Sequence, residues 1–329
     1  MKRVTIYEVA KTADVSLATV SRVINGSTVV KKETRDKVEE AINKLGYKPN
    51  AIAQGLALQK TTSIGFLIPE TSFSYTGQII NGILDVAKIY NFKIYIHTMA
   101  EGISDISSFI DDIVKARVDG VIIYNDRVLE DHLNELSSYD LPIVLVNNKA
   151  KGDSICSVYV DVQKAISELT NTYLDKNIKD IAVLEDRKSQ YSVSQIVKGC
   201  ESAFKKHNLE FNNLIHIPHE YRSSYKFLVE YFKDHKHDLV IANRDSQAMA
   251  IINAAKENNI AIPEEMEVVC VIDTKYNSMI RPEISSFTIP SYDLGALSMR
   301  VMTKMLNDEE IIEKEKKLSY LYNKRSSTK

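Results

Sequence analysis

Apolar residues recur along this chain with two different periods, and the change of period divides it. Up to Leu45 they fall three and four residues apart, which predicts short helices over Ile6–Thr12, Leu17–Asn25 and Lys32–Leu45. Val9 and Ala10 turn inward on the first helix, and Val38, Ala41, Ile42 and Leu45 on the third. Thr5 and Glu8 are spaced as a capping box, Ser16 is placed to cap the second helix, and Gly26 and Gly46 stand where the second and third must stop. Beyond Ser63 the pattern becomes short apolar runs: Ser63–Pro69, Lys93–His97, Asp119–Asn125 and Pro142–Asn148, separated by amphipathic stretches near 75–90, 104–116 and 129–138. A second series follows Val158-Tyr159-Val160-Asp161. Its strands are expected at Asp180–Glu185, Leu214–Pro218, Asp238–Asn243 and Glu267–Asp273, with helices near 163–176, 194–207, 223–235 and 245–259. Strands alternating with helices predict parallel sheets covered on both faces, here two of them with a cleft between. A last helix, Leu294–Leu306, is expected to be capped by Asp293 and to bury Leu294, Leu297, Val301 and Met305. The charged tract from Asp308 to Lys317 reads as a solvated helix end and loop.

Composition changes this picture little, and charge changes it more. The 329 residues are 44% hydrophobic and 26% charged, as in ordinary globular proteins, and no apolar run approaches the ~20 residues of a membrane span. Met1-Lys2-Arg3-Val4-Thr5 lacks the apolar core of a secretion signal, and Cys156, Cys200 and Cys270 form no disulfide framework, so a cytoplasmic location is expected. The net charge of −2 is unevenly spread: residues 1–60 carry 11 Lys/Arg against 6 Asp/Glu, and the remainder 31 against 38. Only the front end is suited to meet a polyanion.

Two short helices joined at Ala13-Asp14-Val15, with a third completing the core, form a helix-turn-helix unit whose second helix enters the major groove by its N-terminal end. Leu17 and Ala18 then lie near base edges, Ser16 and Thr19 near phosphates, and Arg22 where it can read a guanine bidentately. On pattern alone, a small helical bundle with solvated Arg22, Lys31 and Lys32 is an equal alternative. The following segment, Tyr47 to Ala57, starts with Pro49, is rich in Ala and is weakened by Gly55. Too short to stand alone in water, it is suited to fold on DNA, with Leu56 as an apolar wedge at a minor-groove step.

Three blocks carry a resemblance: Val4–Ala10, Val15–Asn25 and Tyr47–Ala53. Together they resemble the signature of the lactose/galactose repressor family, and within it the regulators of carbon catabolite genes. The resemblance implies an all-α helix-turn-helix headpiece with a hinge helix at about 49–58, then an α/β core similar to periplasmic binding proteins, built of two Rossmann-like subdomains. The boundaries expected are 1–60 for the headpiece and 61–329 for the sensor, divided into about 61–160 with 290–318 and about 161–287 with 320–329. It also implies that Leu17, Ala18 and Arg22 read the major groove, that Thr5, Tyr7, Ser16, Thr19, Ser21, Asn25, Asn50 and Ala53 complete the DNA surface, and that Leu56 pries open a central C-G step of a palindromic operator bound by a homodimer. Gln54 and Leu58 depart from the usual Arg and Ser of that subgroup.

For the sensor, the family pattern implies an effector cleft at Phe73, Asp245 and Asp273. Three departures put an ordinary sugar ligand in question: Phe73 replaces an Asn, Ile196 a basic residue, and Ile272 an Asp, with the carboxylate one place later at Asp273. Packing of two lobes is as good a reading of these residues as an intact small-molecule site. Arg300 and Lys304, four apart on the last helix, suit a phosphate, though two solvated cations are the commoner case. By resemblance, Tyr292, Asp293, Arg300 and Lys304 with Asp85 and Tyr90 form a surface for serine-phosphorylated HPr acting as corepressor.

His216-Ile217-Pro218-His219 and His235-Lys236-His237 have no ligand partner at a fixed spacing and read as solvated histidines. No phosphate loop, nucleophile elbow or paired-cysteine motif is visible, so neither an enzyme nor a bound cofactor is expected. Two other classes compete with a catabolite regulator: an operon-specific repressor answering to a sugar or nucleoside, and a solute-binding protein, against which the basic headpiece argues.

Overall fold

A computed structural model describes residues 4–24, 26–47, 61–69, 74–98, 104–126, 128–186 and 190–329. The expectations for Asn25, Asn50, Ala53, Gln54, Leu56, Leu58 and Phe73, and with them the hinge helix, lie outside those residues. The chain divides into two compact units, Met1–Ser63 and Ile64–Lys329.

The first unit holds α1 (Ile6–Ala13), α2 (Leu17–Ile24) and α3 (Lys32–Leu45). Their ends follow from local chemistry. The Glu8 carboxylate accepts the Thr5 amide at 2.7 Å and the Thr5 hydroxyl at 3.1 Å. Asp14 at φ 53° closes α1, and Gly46 at φ 61° closes α3, where the Tyr47 amide reaches back to the Ile42 carbonyl at 3.0 Å. Val9, Val20, Val23, Val38 and Ala41 fill the centre.

In the second unit, β1 (Ser63–Ile68), β2 (Lys93–Thr98), β3 (Gly120–Ile123), β4 (Ile143–Val146) and β5 (Ile155–Val160) alternate with α4 (Ser74–Ile89), α5 (Ser104–Ala116) and α6 (Glu130–Ser137). β6 (Ile181–Glu185), β7 (Leu214–His216), β8 (Leu239–Ala242), β9 (Glu267–Cys270) and β10 (Ser285–Thr288) alternate with α7 (Val162–Leu174), α8 (Gln190–Lys206), α9 (Tyr221–Tyr231), α10 (Asp245–Glu257) and α11 (Lys275–Met279). Then come α12 (Ser291–Leu306), β11 (Glu315–Leu318) and β12 (Leu321–Asn323).

Two six-stranded sheets result, ordered β11-β5-β4-β3-β1-β2 in the first lobe and β12-β10-β9-β8-β6-β7 in the second. β10 pairs antiparallel with β12, whereas β1 with β3, β3 with β4, β4 with β5, β5 with β11, β6 with β7 and β8, β8 with β9 and β9 with β10 pair in parallel. Central strands such as β1, β3, β4 and β8 are buried throughout, because each sheet carries an apolar cluster on both faces.

Three expectations are corrected. Glu315–Leu318, in the tract read as loop, is a strand paired with β5, Glu315 opposite Ser157 and Leu318 opposite Val160. As an edge strand with half-exposed side chains it needs no apolar face, and its lysines blunt the edge. The last helix begins at Ser291 after Pro290, so Asp293 lies in its first turn and not at its cap. That helix also buries more than one stripe, with Leu294, Ala296, Met299, Val301 and Met302 all in the core, while Leu297 and Met305 are half-buried. β5, β10, β12 and α11 were not anticipated.

Candidate nucleic-acid interface and sensor cleft

Ser16 opens α2 as its cap: its hydroxyl accepts the Thr19 amide at 3.1 Å and pairs with the Thr19 hydroxyl at 2.8 Å. Gly26, at φ 71°, turns the chain away after α2, and the Ser27 amide closes onto the Arg22 carbonyl at 2.9 Å. Val20 and Val23 bury the inner face of α2, which leaves Leu17, Ala18 and Arg22 exposed together on the outer one. Tyr7 projects 68% exposed from α1, and Thr5 is exposed beside it in sequence, at the start of the same helix. Thr19 and Ser21 are half-buried. An exposed helix end with a free-standing arginine one turn further on, held by a tight turn to a bracing helix, can present side chains to a groove.

In the second unit the carboxyl ends of the strands converge on charged groups that periodicity could not flag. Asp186 directly follows β6 and is fully buried, and Arg244, two residues past β8, is 2% exposed. Arg244 donates to Asp186 at 3.2 Å, Gln247 donates to the same carboxylate oxygen at 2.7 Å, and a ring nitrogen of His219 lies 3.0 Å from the other. His219 is therefore part of a buried polar network and not a solvated histidine. His237 departs from the solvated reading in the same way, with Nδ1 2.7 Å from Asp180 and Nε2 2.9 Å from the Tyr231 hydroxyl. Among the described residues no group of three His, Cys, Asp or Glu is arranged to hold a metal ion. The three cysteines are buried thiols, and burial pushes Cys200 up to about 12.

Facing this network from the first lobe are Tyr75 on α4 and Tyr124 and Asp126 after β3. The two rings meet edge-on at 6.5 Å. Burial raises both phenols, and Tyr75 also feels the charges of Arg244, Asp126 and Asp245. Burial likewise pushes the Asp126 carboxyl up, against hydrogen bonds from Ser192.

The expected cleft residues behave differently. Asp245 opens α10, accepting the Ser246 amide at 2.6 Å and the Thr274 hydroxyl at 2.7 Å. Asp273 does not stand free for an effector. Arg325 donates to it at 2.8 Å, Ser286 at 2.8 Å, Asn323 at 3.0 Å and Thr288 at 3.2 Å, which tie the end of β9 to the last residues of the chain. Burial alone would raise this carboxyl, but the Arg325 guanidinium and the Ser286 hydroxyl hold it below its ordinary value. Ile196 is fully buried among Ile166, Val193, Cys200 and Val269, so it packs the second lobe and lines no cleft. Asp126, Asp186, His219 and Arg244 were missed; their one signal is position, within three residues of a predicted strand end or flanking one.

On the first lobe, α4 and α12 cross in direct backbone contact. A Cβ on Gly82 would fall onto the Tyr292 carbonyl, and one on Gly295 onto the Ile79 carbonyl. This approach lets the Tyr292 hydroxyl donate to Asp85 at 3.0 Å, a bond that raises the phenol. Asp85, Tyr90, Tyr292, Asp293, Arg300 and Lys304 are all exposed.

Residues 5–50 match the model of the bacterial regulatory proteins, lacI family, and residues 170–328 that of a periplasmic binding protein-like domain. The Lac repressor dimer bound to operator and the anti-inducer ONPF has the same fold, with a TM-score of 0.85 at 20% identity over 99% of each chain. The transcription regulator CcpA of Lactococcus lactis matches with a TM-score of 0.72 at 23% identity, over 81% of this chain and 99% of that one. Headpiece and sensor together thus define the class of a DNA-binding transcription regulator. Catabolite control protein A of Staphylococcus epidermidis is 34% identical over 310 residues, 94% of each chain, and that of Staphylococcus xylosus 34% over 327 residues, 99% of each. The chain belongs to the lacI family of bacterial regulatory proteins; it is a regulator of transcription and not an enzyme. No helix among the described residues is long and apolar enough to cross a membrane.

Proposed function

We propose that this protein represses carbon catabolite genes by binding a pseudo-palindromic operator as a homodimer, with serine-phosphorylated HPr as corepressor. The observation that carries the DNA reading is the outer face of α2, where Leu17, Ala18 and Arg22 stand exposed above a capped N-terminus. Two such faces, one from each protomer, read two half-sites one helical turn apart. In this reading Leu56 serves as the minor-groove wedge and Asn50 and Ala53 complete the DNA surface, as the lacI-family pattern implies. The catabolite assignment rests on the two staphylococcal relatives named catabolite control protein A.

Support for the corepressor comes from the first lobe. Arg300 and Lys304 are exposed one turn apart on α12, next to a Tyr292–Asp85 bond that sets the two helices in register. Such a pair of cations offers a phosphoserine one bidentate donor and one point charge. The phosphoprotein favours the DNA-binding arrangement by binding it more tightly than the alternative.

Gel-shift titration on a C-G-centred palindrome, with and without serine-phosphorylated HPr, tests both parts. Operator preference over random duplex carries the first, and tighter binding on addition of the phosphoprotein carries the second. Arg300→Ala is expected to abolish the HPr effect and leave basal operator affinity unchanged.

A further inference from the structure

The first turn of α8 belongs to the second lobe, yet the acceptor of its Ser192 amide comes from the first. Ser192 is the third residue of that helix, and its amide has no partner within the helix. It donates instead to Asp126 Oδ2 at 3.1 Å, across the cleft from the segment that follows β3. The start of a second-lobe helix is thus held by the segment after β3 of the opposite lobe. Behind it the strand ends are filled by Asp186, Arg244, His219 and Gln247, bonded to one another.

We propose that Asp126 latches the first turn of α8 and holds the sensor closed with no small molecule in the cleft. The chain's own groups satisfy the polar positions that an effector's hydroxyls would otherwise bond. Closure is then a resting property of the sensor, and regulation is left to whatever binds outside the cleft. The latch concerns the sensor alone and stands whether or not phosphorylated HPr is the corepressor.

Hydrogen–deuterium exchange on the full chain reads it directly, because helix first-turn amides are ordinarily unprotected. In wild type without additives, the Ser192 amide is expected to exchange roughly tenfold or more slowly than an open first turn allows. Asp126→Ala is expected to remove that protection, and Asp126→Asn, which keeps an acceptor without a charge to desolvate, to retain it. A panel of hexoses, hexose phosphates and nucleosides is expected to leave the wild-type rate unchanged. Fast exchange at Ser192 in wild type or in folded Asp126→Asn, no change in folded Asp126→Ala, or further slowing by a panel compound would overturn the latch. Should Asp126→Ala not fold, the wild-type and Asp126→Asn rates decide. Operator binding is not the readout, so failure here is distinct from failure of the DNA reading.

Discussion

The headpiece and the sensor cleft put polar side chains to opposite use. In the headpiece a small core of valines and alanines carries the fold, and the groups with recognition chemistry face outward, Tyr7 at 68% and Leu17 at 38% exposure. In the cleft, Asp186 and Arg244 are nearly inaccessible and spend their hydrogen bonds on each other and on His219 and Gln247. A surface meant for a partner leaves its donors available; a surface that must hold itself together does not. Family membership alone makes both regions look like ligand sites, and the geometry separates them.

The sharpest way to break this contrast is at the buried pair. Asp186→Ala leaves the Arg244 charge buried without its carboxylate, which is expected to cost the sensor about 3–5 kcal/mol in urea or thermal unfolding. A loss near that of a surface ion pair, well under about 1 kcal/mol, would mean the network is open to water after all. On the headpiece side, Arg22→Ala is expected to cost about 1–3 kcal/mol of operator affinity and to relax preference at one base per half-site, with sensor unfolding unchanged. Unaltered selectivity across a set of singly substituted operators would remove Arg22 from base reading. Ser16→Ala deletes the cap of α2 and is expected to cost about 1 kcal/mol of headpiece stability, followed by circular dichroism.

The smallest effect is confined to acid. Asp273 titrates below its unfolded value of about 4, so its contribution is complete above that pH and is lost as pH falls through the lower folded value. The stability gap between wild type and Asp273→Asn should therefore narrow on acidification, and a gap that widens instead would contradict the Arg325 pairing.

Much of this was legible from apolar spacing. The central strands announced themselves as unbroken Val/Ile/Leu runs because both faces are covered, and the headpiece helices because caps and glycines mark their ends. Glu315–Leu318 did not, since an edge strand paired on one side buries too little to need an apolar pattern. Arg244 and Asp186 were invisible for a related reason: a lone charge carries no period, and only the fold brings residues 58 positions apart within a hydrogen bond. The choice of Asp273 as a cleft residue followed the family pattern, which also expects a basic residue where Ile196 stands. Here Asp273 is drawn instead to Arg325 and Ile196 into the core.

The contact at Gly82 and Gly295 has a mechanical side. Where two helices touch through side chains, a push on one is absorbed by rotamer changes before it reaches the other. Here main chain rests on main chain, leaving nothing soft between them. A displacement of α12 at these two points would meet the α4 backbone with no side chain between to give way.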